Sequence, residues 1–337
     1  MLRLLLLLSA CLPGLIYSQQ DGYQTHFQFN EISYNPSYAG KDKNKICISS
    51  LIHQQYLGFK SDAITDYENK VVISPYSIAP QTQYFSISGR CVQRLGIAFQ
   101  FTRDEIGPQT IKLPKINLSW YFNINQGELS IGMYMGQMQK SLDGNKLVPL
   151  SQLQSPAIPD PNVPSTMVNS KKFDAGIGMH YRNPILCDLN IGFALTHLMP
   201  SGFYFINSIA QSVPFSSIKT HYYFNAAIDL PSGISQLLIQ PNLLMKYGSR
   251  FQTDLNVLGI WNQAIYGGIS FRQEDNINFM LGFMRKELKI GYAFDAIVNE
   301  LKPGTKSSHE IFIQYCFIIK NKPGYLLNPR YLHDSTF

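Results

Sequence analysis

The sequence predicts an all-β protein, a transmembrane antiparallel β-barrel of about fourteen strands behind an N-terminal export signal. From Cys47 to Ile319 the chain consists of short segments in which apolar and polar residues alternate. The connections between these segments are alternately short and long, which is typical of a barrel with tight turns at one rim and loops at the other. A leucine-rich N-terminal stretch indicates export.

Residues 1–18 are predicted to form a cleaved signal peptide. Arg3 supplies its positive charge, Leu4–Leu8 its apolar core, and Ser18 the small residue at its exit. The apolar stretch is interrupted at Cys11 and falls short of the roughly 20 residues that a membrane-spanning helix needs. The four residues ending at Cys11 also resemble a lipoprotein cleavage box, so a lipidated Cys11 as mature N-terminus is an alternative.

The composition is compatible with a membrane barrel. Charged residues make up 15% of the chain and aromatic residues 13%, and the mean hydropathy is −0.08. No segment after residue 20 is apolar over a length that would cross a bilayer as a helix. Because a barrel strand turns apolar side chains toward lipid at alternate positions only, a near-neutral average agrees with membrane residence.

The fifth predicted strand shows the alternation most clearly. Leu129, Ile131 and Met133 fall on one face, and Ser130 and Gly132 fall on the other. Similar patterns recur along the chain. The predicted strands are 45–53, 83–89, 93–103, 110–124, 127–140, 171–182, 185–198, 221–231, 236–247, 251–262, 264–273, 276–285, 287–296 and 307–319.

The connections between these strands provide a second test of the barrel. Every even-numbered connection is short, and the long ones are all odd-numbered: 54–82, 141–170, 199–220 and 297–306. With the first strand rising from the periplasm, the long loops face outward and both termini face the periplasm. A soluble β protein of eight to ten blades is the competing architecture, but it does not explain this sorting.

Two prolines interrupt predicted strands. Pro114 and Pro241 cannot donate to a strand ladder, so we expect each at a rim, at a bulge or beyond the lipid.

A barrel of this size is too wide for its wall side chains to fill. We therefore expect residues 21–40, which are rich in aromatic and amide side chains, to fold back as a plug, with small inward residues making room for it. A disordered periplasmic tether is the alternative for this segment. The residues predicted to face inward are Gly96, Gly132, Gly176, Gly178, Gly192, Gly282, Gly291, Asp188, Asp254, Asn256 and Asp295.

Four cysteines remain after removal of the signal: Cys47, Cys91, Cys187 and Cys316. An oxidising compartment permits disulfides, but the wide spacing favours unpaired, small apolar residues. No metal-ligand spacing, phosphate-binding glycine loop or basic nucleic-acid patch is present, so no cofactor, metal or nucleic acid is expected.

Several sequence stretches together resemble one family. Phe29–Gly40 reads FNEISYNPSYAG, and three later stretches are GISFR at 268–272, IGYAFD at 290–295 and NPRYL at 328–332. In this order they resemble the PorP/SprF family of Bacteroidetes outer-membrane proteins over nearly the whole mature chain. Gly22 departs from the family pattern, which usually has proline there.

The resemblance implies a component of the type IX secretion system, which exports proteins across the outer membrane and delivers mobile surface adhesins in gliding bacteria. Family members either associate with the periplasmic ring of that machine or serve the secretion and retention of one large surface protein. The second role is favoured because such paralogues are numerous. The implied partners are other secretion components, namely ring or peptidoglycan-associated proteins, and a large secreted adhesin.

An outer-membrane transporter of hydrophobic or small solutes is the alternative function, since such transporters also use barrels with an N-terminal plug. We expect no enzymatic activity. Asp104, Glu105, His197 and His221 lie in or near predicted outer loops, where they are interpreted as scattered surface polar residues.

Two clusters are predicted to contact a partner or the plug. They lie on the periplasmic side, in a 19–44 periplasmic or plug segment and a 320–337 periplasmic tail that flank the 45–319 barrel. Their residues are Tyr34, Asn35, Pro36, Tyr38 and Gly40 in the first, and Asn328, Pro329 and Arg330 in the second.

Overall fold

The computed structural model describes residues 21–61, 63–65, 71–73, 76–92, 94–149, 160–273, 276–297 and 307–319. Within these residues, three short 3₁₀ turns are η1 (Glu31–Ser33), η2 (Pro36–Tyr38) and η3 (Gly144–Lys146). The strands are β1 (Lys45–Gln54), β2 (Ile64–Thr65), β3 (Val71–Ile73), β4 (Gln81–Val92), β5 (Leu95–Ile106), β6 (Gln109–Ile124), β7 (Gly127–Asp143), β8 (Met167–Asn183), β9 (Leu189–Thr196), β10 (Ser201–Ile206), β11 (Ser212–Ile218), β12 (His221–Ala227), β13 (Leu230–Pro231), β14 (Leu237–Tyr247), β15 (Phe251–Trp261), β16 (Ile265–Arg272), β17 (Asn276–Arg285), β18 (Leu288–Ile297) and β19 (Ser308–Ile318).

Fourteen of these strands form one closed antiparallel sheet, so the predicted fold class is confirmed. The order around the ring is β1, β4, β5, β6, β7, β8, β9, β12, β14, β15, β16, β17, β18 and β19, and pairing of β19 with β1 closes it. The short β13 extends the ladder of β14. Closure leaves no open sheet edge in the wall, which is what a strand-built membrane protein requires.

Side chains of the wall alternate between an apolar exterior and a buried, largely polar interior. In β8, Ile177 and Met179 are exposed, whereas Gly178 and His180 are buried. The same alternation gives β17 an exposed row that includes Phe279. A bilayer solvates such an exterior, while the polar side chains face the lumen. Among the residues described, no helix is long and apolar enough to cross a membrane.

The two ends of the barrel differ in their connections. We call one end the short-turn rim, because only a few residues join its strands, as at 125–126, 262–264 and 286–287. The other end is the long-loop rim, which carries the connections 55–80, 144–166, 197–220 and 298–307. The predicted sorting of short and long connections therefore agrees with the structure.

Two connections that the sequence predicts as loops contain hairpins. One hairpin pairs β2 with β3, and the other pairs β10 with β11. The second packs Phe203, which is fully buried, against Leu113 and Met138 of the wall. These two wall residues form an apolar patch in the lumen near the long-loop rim. The inward-facing aromatic residues of β10 pack on this patch, which stabilises β10 as a strand.

One predicted strand begins later than expected. The segment 185–198 was predicted as strand, but β9 starts at Leu189, because Cys187 and Asp188 adopt φ angles of 50° and 46° that belong to a turn. Asp188, predicted to face the lumen, lies in this turn, where it pairs with Arg182 at 2.6 Å and borders the lumen.

The expectation of unpaired cysteines is wrong for one pair. Cys47 and Cys316 form a disulfide across 269 residues of sequence. They lie directly opposite each other in β1 and β19, the strands that close the ring. Cys187 is a free, exposed thiol, and the side chain of Cys91 lies outside the described residues. The wide sequence spacing led to a wrong prediction for this pair, because closure of the barrel places the first and last wall strands side by side.

Both strand prolines lie inside wall strands, where one of the two ladders of the strand is interrupted. The pairing of β6 with β7 passes from Lys112 to Lys115 without including Pro114. Pro241 lies just beyond Asn242, the last residue of β14 that pairs with β12. A residue without an N–H therefore costs the wall little at either position.

Candidate functional site: the N-terminal segment in the barrel lumen

Residues 21–44, which we call the N-terminal segment, run through the barrel from one rim to the other. At the short-turn rim, Lys43 forms an ion pair with Glu128 at 2.7 Å. At the long-loop rim, Asp21 contacts His197 and His221. Residues between these ends contact inward-facing side chains of the wall, so the segment is the main structural feature of the lumen.

Asn35 joins the middle of the segment to the wall. Its side-chain oxygen accepts hydrogen bonds from the backbone N–H and the hydroxyl of Ser37, at 3.0 and 2.7 Å, which caps the η2 turn. Its amide nitrogen donates to the carbonyl of Met179 at 3.1 Å. Pro36 occupies the first position of η2, where no N–H is required. The Asn-Pro-Ser stretch is therefore a capped turn that binds to β8.

Glycines of the wall leave space for this turn. A Cβ atom at Gly178 would overlap the side chain of Asn35, and one at Gly132 would overlap the backbone of Ser37. Because both positions point inward, any larger residue would displace the turn from the wall.

Two buried tyrosines flank the turn. The Tyr34 ring stacks on Tyr223 with 5.5 Å between centroids, and the Tyr38 ring lies 4.2 Å from that of His180. The Tyr38 hydroxyl also accepts a hydrogen bond from the Asn225 amide at 2.7 Å. Burial raises the pKa of both Tyr34 and Tyr38 well above the ordinary value of 10.0. Both rings therefore act as neutral packing groups.

Gly40 lies in the turn that follows η2. Its φ of 69° suits glycine, and a Cβ there would overlap the backbone of Gly96 and Gly89. Its carbonyl accepts a hydrogen bond from Arg90 Nε at 2.9 Å, while both terminal nitrogens of Arg90 lie 3.1 Å from the carboxylate of Glu128. Arg90 thus fixes the segment at the short-turn rim.

A buried carboxylate binds the part of the N-terminal segment nearer the long-loop rim. The oxygens of Glu310 accept the backbone N–H groups of Thr25 and His26, each at 2.7 Å. The Thr25 hydroxyl donates to Asp295 at 3.0 Å, and His53 Nε2 lies 3.1 Å from the same carboxylate. Glu310 and Asp295 are fully buried, so their charges are compensated by the segment and by His53 rather than by water.

Asp21 forms a second polar cluster at the long-loop rim. Its oxygens lie 3.1 Å from His197 Nε2 and 2.6 Å from His221 Nδ1, and His197 Nδ1 lies 3.0 Å from Asp174. Burial alone would raise the pKa of Asp21, but the imidazoles of His221 and His197 hold it well below its usual range. Burial alone would lower the pKa of His197, but the carboxylates of Asp21 and Asp174 raise it to about 9. In the absence of another cation, Asp21 and His197 thus form a charged pair at neutral pH.

A cavity of about 250 Å³ remains between the N-terminal segment and the wall. It lies toward the short-turn rim, where Tyr34 and Tyr38 border it. Charges of both signs line it, among them Glu31, Lys41, Glu128, Arg182, Asp188 and Lys289. Such a lining suits water or a polar chain more than an apolar solute.

The structure brings the first cluster of predicted site residues together but does not describe the second. Tyr34, Asn35, Pro36, Tyr38 and Gly40 lie inside the barrel, in the half nearer the short-turn rim, and contact the wall rather than a periplasmic surface. Asn328, Pro329 and Arg330 lie outside the described residues. Their predicted role toward a partner remains a prediction.

Sequence reasoning missed the charged groups that hold the segment. His197, His221 and Asp104 were interpreted as surface residues, and the structure buries all three. His197 could not be assigned from alternation, because its φ of 56° turns the backbone away from the strand pattern of β9. Asp295 was predicted to face inward, and the structure buries it. Glu310 has the same inward phase in β19, and that phase together with its charge is the signal that would have identified it.

The closed wall, the apolar exterior and the polar lumen define this chain as a transmembrane β-barrel of the kind found in bacterial outer membranes. A family model described as type IX secretion system membrane protein PorP/SprF matches residues 16–315. The chain therefore belongs to the PorP/SprF family, as the resemblance of its motifs predicts.

Other comparisons add little to this assignment. The toluene transporter TodX of Pseudomonas putida has a TM-score of 0.47 and 10% identity, over 86% of this chain and 93% of that chain. A FadL homologue of Pseudomonas aeruginosa has a TM-score of 0.42 and 10% identity, over 85% and 93%. Such low values carry no information about function. No curated protein matches the chain.

Proposed function

We propose that this protein supports the secretion or surface anchoring of a large adhesin-like protein by the type IX secretion system. Membership of the PorP/SprF family supports a role in that system. We further propose that the chain reaches the outer membrane through a cleaved signal peptide over residues 1–18, and that it contributes no catalytic step. Its partners are then other secretion components and the adhesin itself.

The observation that carries the proposal is the course of the N-terminal segment. It is held near the long-loop rim by Glu310, in the middle by Met179, and at the short-turn rim by Arg90. We propose that it acts as a plug. A barrel whose lumen contains its own chain suits an anchor that binds a partner better than a channel that conducts one.

Secretion assays in the native host test this function. Deletion of the gene is expected to abolish secretion or surface retention of one large type IX substrate, and re-expression of the full chain is expected to restore it. The measurements are mass spectrometry of the medium and surface labelling of whole cells. Unchanged secretion and attachment of every type IX substrate would contradict the proposal.

The predicted partner contacts require a separate experiment. Arg330→Ala is expected to retain heat-modifiable migration, which reports a folded barrel, while losing secretion components that co-purify with the wild type. Arg103→Lys, a conservative change in a partly exposed ion pair, is the control. If both variants retain all partners, residues 328–330 have no docking role.

Bilayer recordings separate the anchor from the transporter alternative. The intact protein is expected neither to conduct ions in planar bilayers nor to bind long-chain lipids, whereas a variant lacking residues 21–44 is expected to conduct. Steady conductance or lipid binding by the intact protein would instead favour transport of hydrophobic or small solutes.

A further inference from the structure

Two histidines of the wall and one carboxylate of the N-terminal segment converge at the long-loop rim. One oxygen of Asp21 lies 3.1 Å from His197 Nε2, and the other lies 2.6 Å from His221 Nδ1. All three candidate ligand atoms lie within 4.8 Å of one another. Tetrahedral zinc, with bonds of about 2.0–2.1 Å, needs ligand atoms about 3.3 Å apart. Small side-chain movements would therefore bring these three groups into a coordination shell.

The surroundings of His197 resemble those of a metal ligand. Its Nδ1 lies 3.0 Å from both oxygens of Asp174, and the same carboxylate accepts a hydrogen bond from Tyr134 at 3.0 Å. A carboxylate that accepts the Nδ1 proton directs the Nε2 lone pair of the ring toward Asp21, as in carboxylate–histidine–zinc arrangements. The space between Nε2 and the Asp21 oxygen, 3.1 Å across, holds either a proton, as in the charged pair described above, or a metal ion that replaces that proton.

Burial and charge are also compatible with a bound ion. The side chains of His197 and His221 are 3% and 1% exposed, whereas that of Asp21 is 25% exposed. An ion thus has a route from solvent along the exposed part of Asp21. Lys246 donates a hydrogen bond to the backbone carbonyl of Asp21 at 3.0 Å, so its positive charge would repel a bound metal ion. The negative charges of the Asp21 and Asp174 carboxylates compensate for this repulsion.

We propose that Asp21, His197 and His221 bind one divalent transition-metal ion, and that this ion fastens the N-terminal segment to the barrel wall. Two imidazole nitrogens and one carboxylate oxygen with a water ligand fit Zn²⁺ best. His197 and His221 lie at the two ends of the connection that carries β10 and β11. The ion therefore joins three parts of the chain: the start of the N-terminal segment, the end of β9 and the start of β12.

Direct metal measurements on the full mature chain test the proposal. The protein is purified in detergent without a histidine tag, stripped with a chelator and dialysed against ZnCl₂. One equivalent of zinc is expected per chain, with an X-ray absorption shell of nitrogen and oxygen ligands at about 2.0–2.1 Å. Absence of stoichiometric zinc, or a shell containing sulfur, overturns the proposal without the need for any variant.

Variants assign the site and its structural role. Asp21→Asn, His197→Gln and His221→Gln are each expected to weaken zinc binding more than Asp174→Asn, for which a loss of about 10–100-fold is expected. His309→Gln, which changes a histidine at another part of the rim, is the matched control. Zinc is expected to slow hydrogen exchange of residues 21–26 in the wild type and in His309→Gln but not in the ligand variants. Binding by the ligand variants equal to that of the wild type would show an adventitious ion only.

A folding control accompanies these variants. Heat-modifiable migration reports whether each barrel is closed, and Asp21→Asn changes no residue of the wall. If Asp21→Asn folds and still binds zinc with the wild-type affinity, the N-terminal segment supplies no ligand and the proposal fails.

Discussion

Cys47 and Cys316 are directly opposite residues of the first and last wall strands, and a disulfide joins them. Their side chains are buried on the lumen side. The strand pair that closes the ring is thus held by backbone hydrogen bonds and by one covalent bond. The two cysteines are 269 residues apart in sequence, so β1 and β19 are the pair of neighbouring wall strands with the largest loop-closure entropy.

Replacement of Cys47 by serine is expected to destabilise the barrel by about 2–4 kcal/mol, because the unfolded chain loses the covalent loop between Cys47 and Cys316. The measurement is the temperature at which unboiled protein changes to unfolded migration in gel electrophoresis. Cys187→Ser, which removes a free and exposed thiol, is the control and is expected to match the wild type. Complete alkylation of Cys47 and Cys316 in protein taken from native membranes would rule out this explanation.

Gly96→Ala is expected to displace the N-terminal segment near the short-turn rim. A Cβ at position 96 would overlap the carbonyl oxygen of Ala39, a backbone atom that cannot rotate away. We expect faster hydrogen exchange over residues 36–44 and a loss of about 1–3 kcal/mol in stability. Gly267→Ala is the matched control, because the nearest atom to a Cβ there is 3.8 Å away. Equal exchange in both variants would show that residues 36–44 do not pack as described.

Asn35→Ala is expected to loosen the η2 turn while leaving the wall intact. The variant loses the cap on Ser37 and the hydrogen bond to Met179, together worth about 1–2 kcal/mol of local stability. Hydrogen exchange of residues 35–40 measures this loss. Asn123→Ala, which removes an exposed amide of β6, is the control. Unchanged protection of the turn in Asn35→Ala would mean that packing of Tyr34 and Tyr38 alone holds it.

The sequence predicted those parts of the fold that depend on local periodicity. Every predicted wall strand is present, because alternation in a strand such as β7 is set by the need for one lipid-facing and one lumen-facing side. What it could not provide were contacts that depend on closure or on the backbone leaving the strand pattern. Cys47 and Cys316 meet only after the ring closes, and His197, which contacts Asp21, has a positive φ that departs from the strand pattern.

The contacts of the N-terminal segment were predictable in part. Small inward glycines suggested space in the lumen, and a Cβ at Gly132 or Gly178 would indeed overlap residues of the segment. The charged partners were not predicted, because Glu310 lies 284 residues from His26 and no local pattern links them. That the segment closes the lumen to solutes remains a prediction for the bilayer recordings.

Arg90→Lys is expected to release the end of the N-terminal segment even though the positive charge is kept. The guanidinium donates to Gly40 and, through two nitrogens, to Glu128, and it lies 3.5 Å from the centre of the Tyr121 ring. An ammonium group cannot reproduce this planar geometry. We expect a loss of about 1–3 kcal/mol and faster hydrogen exchange over residues 40–44.

Arg103→Lys separates this effect from a general cost of replacing arginine in the wall. Arg103 pairs with Glu105 at 2.6 Å, but both side chains are about one-third exposed, at 33% and 31%. A partly exposed ion pair of this kind contributes little to stability, so Arg103→Lys is expected to resemble the wild type in melting and in exchange. Equal losses in the two variants would show that the geometry around Gly40 is not what makes Arg90 important. A loss confined to Arg90→Lys would identify that guanidinium as the group that fixes the N-terminal segment where it enters β1.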